Sequence, residues 1–206
     1  IVVIIIYVDD LIIVGDNAME IDHVKNLLKQ EFELKDLGKL CYFLGIEVIR
    51  TLEDIWLSQR QYALDILSKY GMVGCKLISM PLDVNAKLST EKNYVVEDVT
   101  MYRKIVGSLI YLTITRPDLS YSVGLESQFM QLLRKPHLDA VRCTLRYVRL
   151  TLDQALFYAS YAPLALYGYI DADWAGSVVD RRSTSGFMFS FGSGVLLGVA
   201  KSSLRL

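Results

Sequence analysis

Two adjacent aspartates interrupt an apolar stretch at the start of this chain, and no other feature constrains its fold as strongly. Asp9 and Asp10 lie between the β-branched runs 1–6 and 11–14. Such short runs predict two buried strands, and a tight turn between them would lift both acids to the sheet edge. Leaving an unpaired carboxylate in the core would cost on the order of several kcal/mol. The pattern is consistent with a magnesium site, in which a cation offsets the repulsion between the acids, and equally with an acidic surface turn.

Family resemblance favours the metal site, because further motifs follow in a fixed order along nearly the whole chain. The motifs that follow YVDD at 7–10 are FELKDLG at 32–38, YFLGIEV at 42–48, LSQRQYA at 57–63, GSLIYLT at 107–113, TRPD at 115–118, DADWAG at 171–176 and DRRSTSG at 180–186. In this order, they resemble the polymerase of copia-type LTR retrotransposons. Several motifs in one order make a chance match improbable.

The resemblance implies a polymerase centre at the first hairpin. Asp9 and Asp10 correspond to two of the three acids that hold two magnesium ions, with manganese as an alternative, and Asp9 would be the bridging ligand. Tyr7 would lie near the primer end or pack against its neighbours. The third acid lies upstream on another strand in this family, and Ile1 starts inside a strand-like run. We therefore expect this sequence to be a fragment of a longer protein.

Two further segments would contact nucleic acid. Residues 42–48 resemble the primer grip, in which Leu44 and Gly45 would form the turn that positions the last primer phosphate. An ordinary hairpin with a bulge is the alternative. Arg142, Arg146 and Arg149 share one face of a predicted helix, spaced by four and three residues. That face would either contact phosphates of the duplex backbone or simply be solvated.

A second catalytic centre is implied near the end of the chain. Asp171 follows a strand-like run and resembles the first acid of a ribonuclease H domain, with Asp173 as a weaker candidate ligand. That domain also uses two metal ions, with water as the nucleophile. The remaining acids of that centre do not follow in this sequence, and residues 195–206 match the family poorly. Both centres would be incomplete here, so whether this chain alone is an enzyme is left open and we expect it to be inactive.

The fold class is expected to be α+β. Residues 1–80 would form the C-terminal part of a polymerase palm, with antiparallel hairpins and helices; residues 81–160 a helical thumb or connection; and residues 161–206 an incomplete ribonuclease H-like sheet. The predicted helices cover about 17–32, 58–70, 102–113, 118–133 and 136–150, and the predicted strands include 42–49 and 55–57.

The charge distribution and the cysteines indicate which partners and which cellular compartment this chain would have. The net charge is −1, yet residues 101–150 contain 8 Lys or Arg against 3 Asp or Glu, as a backbone-contacting module would. Three distant cysteines form no metal-spaced pair and fit a reducing compartment. The charge-free stretch 183–200 is broken by glycines and predicts a hairpin, not a membrane span. We expect an intracellular protein, cytoplasmic and particle-associated or nuclear, with no membrane partner.

The family function would be RNA-directed DNA synthesis with degradation of the RNA strand of the hybrid. The partners would be an RNA–DNA or DNA primer–template duplex, deoxynucleotides in the complete enzyme, and the remaining polyprotein segments. A non-catalytic relic or an adopted module that binds nucleic acid or other chains is the alternative. A decaying element without function is a third, weaker interpretation.

Overall fold

A computed structural model describes residues 1–82, 88, 98–131, 133–172 and 184–202. The chain divides into two compact units, Ile1–Cys41 and Tyr42–Leu206. This mixture of helices and sheets confirms the α+β class. The assignment of palm, thumb and ribonuclease H parts, with its three-way division of the chain, stays a prediction.

The first unit is a hairpin followed by one helix. Strands β1 (Val2–Tyr7) and β2 (Asp10–Gly15) pair antiparallel, and helix α1 spans Ala18–Glu31. Asn17 caps this helix, because its side chain accepts a hydrogen bond from the Met19 N–H (2.9 Å). The prediction that the two strands are buried was wrong within this unit, where no residue of β1 is buried. One helix can cover at most one face of a two-stranded sheet.

The second unit begins with a four-stranded antiparallel sheet of strands β3 (Tyr42–Phe43), β4 (Ile46–Arg50), β5 (Asp54–Ser58) and β6 (Leu156–Ala159), in that order. The prediction of one continuous strand over 42–49 was wrong, because Leu44 and Gly45 adopt left-handed conformations that turn the chain back. Strand β6 was not predicted. It returns from about 100 residues away in sequence to pair with β5.

Four helices pack beside this sheet: α2 (Arg60–Lys69), α3 (Val99–Leu112), α4 (Ser120–Ser127) and α5 (Lys135–Leu150). Their apolar faces form the main core. Its fully buried side chains include Leu67, Tyr102, Leu109, Val141 and Leu145. Burial of such side chains contributes roughly 1.5–3 kcal/mol each, so these helices hold the unit together.

The fourth helix is shorter at both ends than the predicted range 118–133, and at its start Asp118 pairs with Arg116. Arg116 donates two hydrogen bonds to the Asp118 carboxylate, at 2.9 and 2.7 Å. Residues Pro117–Leu119 form a short 3-10 helix instead, and α4 starts at Ser120. The same guanidinium donates to the carbonyl and hydroxyl oxygens of Thr151, which ends α5.

A third antiparallel sheet follows the helices, with strands β7 (Leu166–Ala172), β8 (Thr184–Phe191) and β9 (Gly194–Ser202) in sequential order. Strands β8 and β9 confirm the hairpin predicted over 183–200. Within the described ranges, no helix combines the length and the apolar character that crossing a membrane requires.

A buried carboxyl group lies in the helical core. The side chain of Glu126 is fully buried, and its Oε1 lies 2.6 Å from the Thr144 hydroxyl, which is also 2.9 Å from the Pro81 carbonyl oxygen. A hydroxyl has one proton and can donate to only one of these acceptors. A protonated Glu126 solves this conflict, since it donates to Thr144 and leaves the threonine proton for Pro81. Burial raises the pKa of Glu126 to about 8, in agreement with this arrangement.

We expect this group to make the free energy of unfolding depend on pH. The folded-state pKa is raised, so the stabilisation is complete below the unfolded value of 4.5 and is lost progressively as the pH rises to about 8. Glu126→Gln keeps the donor and cannot ionise. Urea unfolding at a series of pH values should show the variant gaining up to about 1.4 kcal/mol per pH unit on the wild type within this window. A constant difference between the two proteins would contradict the prediction.

Candidate active site and nucleic-acid interface

The two aspartates lie at the tip of the β1–β2 hairpin. Tyr7 pairs with Asp10, so the turn consists of only two residues, Val8 and Asp9. Val8 has a φ of 51°, while the φ of Asp9 is not positive, which is the pattern of a type II′ turn. That first position normally needs glycine, and a β-branched residue there is strained. Local strain of this kind is a frequent property of functional sites.

The environment of both carboxylates fits a hard cation. Asp9 and Asp10 are exposed, and neither forms an ion pair with another described residue. Carboxylate oxygens that face solvent are the ligands that Mg²⁺ prefers. Across the described part of the chain, no three or more His, Cys, Asp or Glu side chains are grouped so that they could hold a metal. Two protein oxygens would therefore need water, phosphate or a further carboxylate to complete the coordination.

Tyr7 immediately precedes the turn, at the end of β1. Its side chain is 52% exposed. It can therefore present a ring beside the two acids, as the sequence interpretation requires. Its role in contacting a primer stays a prediction.

The second predicted contact point, at Leu44 and Gly45, is also a two-residue turn. Phe43 pairs with Ile46, and Leu44 and Gly45 have φ values of 48° and 75°, which is the pattern of a type I′ turn. The Leu44 side chain is 38% exposed. The bulge considered as an alternative is absent from the β3–β4 pairing, which continues in register on both sides of the turn.

Sequence reasoning missed a side chain that contacts this turn. The Tyr111 hydroxyl, on α3, donates a hydrogen bond to the Leu44 carbonyl oxygen. A Cβ placed on Gly45 would lie 3.5 Å from the Tyr111 ring. The only signal in the sequence was that Tyr111 belongs to the motif at 107–113, which carried the family resemblance without a role.

The three arginines of α5 differ in their surroundings. Arg146 is exposed, whereas Arg142 lies 3.7 Å from Asp139, one turn before it, in an exposed ion pair. Arg149 is half-buried, and its Nε donates to the Val73 carbonyl oxygen (2.9 Å). Arg142 and Arg146 can therefore reach a phosphate from the surface, while part of Arg149 is used to hold the segment after α2.

The predicted acid of the second centre lies near the end of an edge strand. Asp171 is exposed on β7 and pairs with Gly186 on β8. Its Oδ1 accepts a hydrogen bond from the Ala172 N–H (2.9 Å). Asp173 falls outside the described residues. The described residues thus place one candidate carboxylate at this position.

Comparison with known proteins assigns the start of the chain to a family. Residues 1–84 match the model of the reverse transcriptase (RNA-dependent DNA polymerase) family. No solved structure matches the chain. The motifs at 7–10, 32–38, 42–48 and 57–63 all lie within this matched range.

Similar proteins extend the match over most of the sequence. The chain is 40% and 41% identical, over 93% of its length, to the retrovirus-related Pol polyproteins from transposons RE2 and RE1 of Arabidopsis thaliana, and spans 13% of each of them. It is also 37% identical to an uncharacterized mitochondrial protein of Arabidopsis thaliana, over 95% of this chain and 81% of that protein. The chain therefore belongs to the family of Pol polyproteins of copia-type retrotransposons, as its motifs indicated.

Proposed function

We propose that this chain contributes part of a reverse transcriptase centre, in which Asp9 and Asp10 hold magnesium, or manganese, for RNA-directed DNA synthesis. The observation that carries the proposal is the strained two-residue turn that presents both carboxylates to solvent, with no ion-pair partner among the residues that the structure describes. The match of residues 1–84 to the reverse transcriptase family supports it.

The side chains would have separate tasks. Bound metal ions would activate the primer hydroxyl and stabilise charge on the triphosphate. Asp9 and Asp10 would provide the oxygen ligands, and the six-pair β1–β2 ladder would hold them in position. Tyr7, opposite Asp10, would border the primer end.

The turn at Leu44 and Gly45 would contact the primer backbone. A trans peptide bond directs its C=O and N–H to opposite sides, and no cis bond is present among the described residues. Because the Leu44 carbonyl accepts from Tyr111, the Gly45 N–H faces the other side of the turn. An N–H in that position is a suitable donor to a phosphate oxygen.

Helix α5 would contact the duplex without reading its sequence. Arg142 and Arg146 are exposed on one face and carry the charge that phosphates attract. Arg149 would add charge close to them. Contacts of this kind fix the position of a protein on a duplex and carry no base specificity.

Asp171 would act in a second centre that cleaves the RNA strand of the hybrid. It would be one ligand of two metal ions there. Further ligands would be needed, so this part of the proposal rests on the family resemblance and on the exposure of Asp171.

For a polypeptide of these 206 residues, we propose binding without turnover. The resemblance assigns two acids of the first centre and one of the second to this sequence, and phosphoryl transfer depends on a complete set of placed charges. A module that binds nucleic acid, and that joins other Pol segments inside the cell, is therefore the state we expect of this chain on its own.

The metal site can be tested with Mn²⁺ in NMR spectra of the ¹⁵N-labelled protein. We expect paramagnetic broadening to start at the amides of residues 7–11. Asp9→Asn should weaken Mn²⁺ binding about tenfold, since affinity depends on ligand charge. Asp22→Asn, an exposed acid of α1, is the matched control and should leave the titration unchanged. Broadening that is insensitive to Asp9→Asn would refute the site.

The absence of turnover can be tested by primer extension with Mg²⁺ on an RNA template. We expect no measurable extension by the 206-residue protein. Asp9→Asn serves as the control, because it removes a proposed ligand. Efficient extension that this substitution abolishes would show that two acids suffice and would overturn this part of the proposal.

Binding to an RNA–DNA duplex can be followed by fluorescence anisotropy at several salt concentrations. Arg142→Gln and Arg146→Gln should each lower the slope of log affinity against log salt by about 1, because each removes one phosphate contact. Asp139→Asn frees Arg142 from its exposed ion pair and should raise the affinity. Unchanged slopes in both arginine variants would exclude this face as the contact surface.

A further inference from the structure

We propose that Tyr111 is a positioning residue that fixes the orientation of the central peptide in the Leu44–Gly45 turn. The inference rests on the proposed function in one respect, namely that this turn contacts a nucleic-acid phosphate. It concerns a residue of helix α3 that lies 67 positions away from Leu44 in sequence.

Tyr111 contacts both residues of the turn. Its hydroxyl donates to the Leu44 carbonyl oxygen, and its ring lies 3.5 Å from the position that a Cβ on Gly45 would occupy. A hydrogen bond fixes the direction of the peptide, and the ring contact fixes its distance from α3. These two contacts together hold the plane of the peptide that joins Leu44 and Gly45.

The turn needs such support because its own hairpin is short. Strand β3 has two residues and lies at the edge of its sheet, so only two residue pairs connect it to β4. Strand β4 is also paired with β5, so the two pairs with β4 are the ladder that joins β3 to the rest of the sheet. Leu44 also adopts a left-handed conformation (φ 48°), which costs roughly 1–2 kcal/mol for a residue with a Cβ.

A second aromatic side chain packs against Tyr111. The ring of Tyr62, on α2, packs edge-on against it, with centroids 5.1 Å apart and an interplanar angle of 81°. Helix α2 is connected back to the hairpin, because the Glu47 carboxylate on β4 accepts a hydrogen bond from the Gln61 N–H (2.9 Å). These contacts connect the turn to α3, α3 to α2, and α2 back to strand β4 of the same hairpin.

Fixing this peptide decides which of its groups faces a ligand. Type I′ and type II′ turns differ by a flip of the central peptide, and Gly45 at the second position accepts either sign of φ. Type II′ normally needs glycine at the first position, so Leu44 already disfavours the flip, and the hydrogen bond from Tyr111 adds to this preference. With Tyr111 in place, the carbonyl oxygen points to α3 and the Gly45 N–H to the opposite side. A flipped peptide would present the carbonyl oxygen to a phosphate and repel it. The hydroxyl of Tyr111 therefore further stabilises the orientation that can donate to an anion.

Tyr111→Phe removes only the hydroxyl and keeps the ring against Tyr62. The matched control is Tyr62→Phe, which removes a hydroxyl that donates to the Ser108 carbonyl oxygen (3.4 Å) and does not touch the turn. Thermal unfolding of the 206-residue protein should be alike in both variants, because each loses one hydroxyl at an aromatic pair. Two further measurements then separate them.

The first measurement is amide hydrogen exchange of residues 43–47 in the free protein. We expect exchange to become about fivefold faster in Tyr111→Phe, in line with the loss of one hydrogen bond, and to be unchanged in Tyr62→Phe. Equal exchange in Tyr111→Phe and wild type would overturn the inference, whatever the binding data show.

The second measurement is the affinity for an RNA–DNA duplex with a recessed primer end. Tyr111→Phe should bind about fivefold more weakly than wild type, and Tyr62→Phe should bind like wild type. Faster exchange combined with unchanged duplex affinity would refute the positioning role in binding. If exchange responds as expected while the wild-type protein binds no duplex, the result supports the role of Tyr111 in fixing the turn and refutes the proposed nucleic-acid contact.

Discussion

The buried guanidinium of Arg116 connects the parts of the second unit on which the candidate interface depends. Its side chain is 5% exposed, donates to both oxygens of Asp118, and reaches the carbonyl and hydroxyl oxygens of Thr151. It also lies over the ring of Tyr147 at 5.7 Å. A buried charge is costly unless it is paired and hydrogen-bonded, and this guanidinium has one carboxylate partner and four hydrogen bonds. Because Thr151 ends α5, this contact fixes the point from which the chain returns to form β6 and complete the sheet.

Local sequence signals predicted the elements whose causes are local. The acidic hairpin and the helices predicted over 17–32 and 136–150 depend on neighbouring residues, and all three are present. Strand β6 and the Glu126–Thr144 contact depend on partners far away in sequence, so no short pattern indicated them. The family resemblance supplied more candidate site residues than periodicity did, and their roles stay predictions.

The features of the candidate site also fall into those with local causes and those that depend on distant partners. Two carboxylates between β-branched runs are a local pattern, and the hairpin presents both as expected. The arginine face of α5 follows from spacing alone, yet spacing could not show that Arg149 donates to the Val73 carbonyl. Similarly, the turn at Leu44 was predicted only as a position within a motif. Its partner Tyr111 lies on another element, and only the folded chain brings the two together.

The Val8–Asp9 turn and the Leu44–Gly45 turn are both strained, and different interactions stabilise them. Each is a two-residue turn that holds a non-glycine residue at positive φ, Val8 in one and Leu44 in the other. Six residue pairs hold the first turn, so the register of a long ladder can bear the strain. Only two pairs hold the second, so its ladder gives the turn less support. The tertiary hydrogen bond from Tyr111 therefore adds support that a longer ladder would otherwise give. This makes the second turn depend on the helical core, whereas the geometry of the first depends on its own strands.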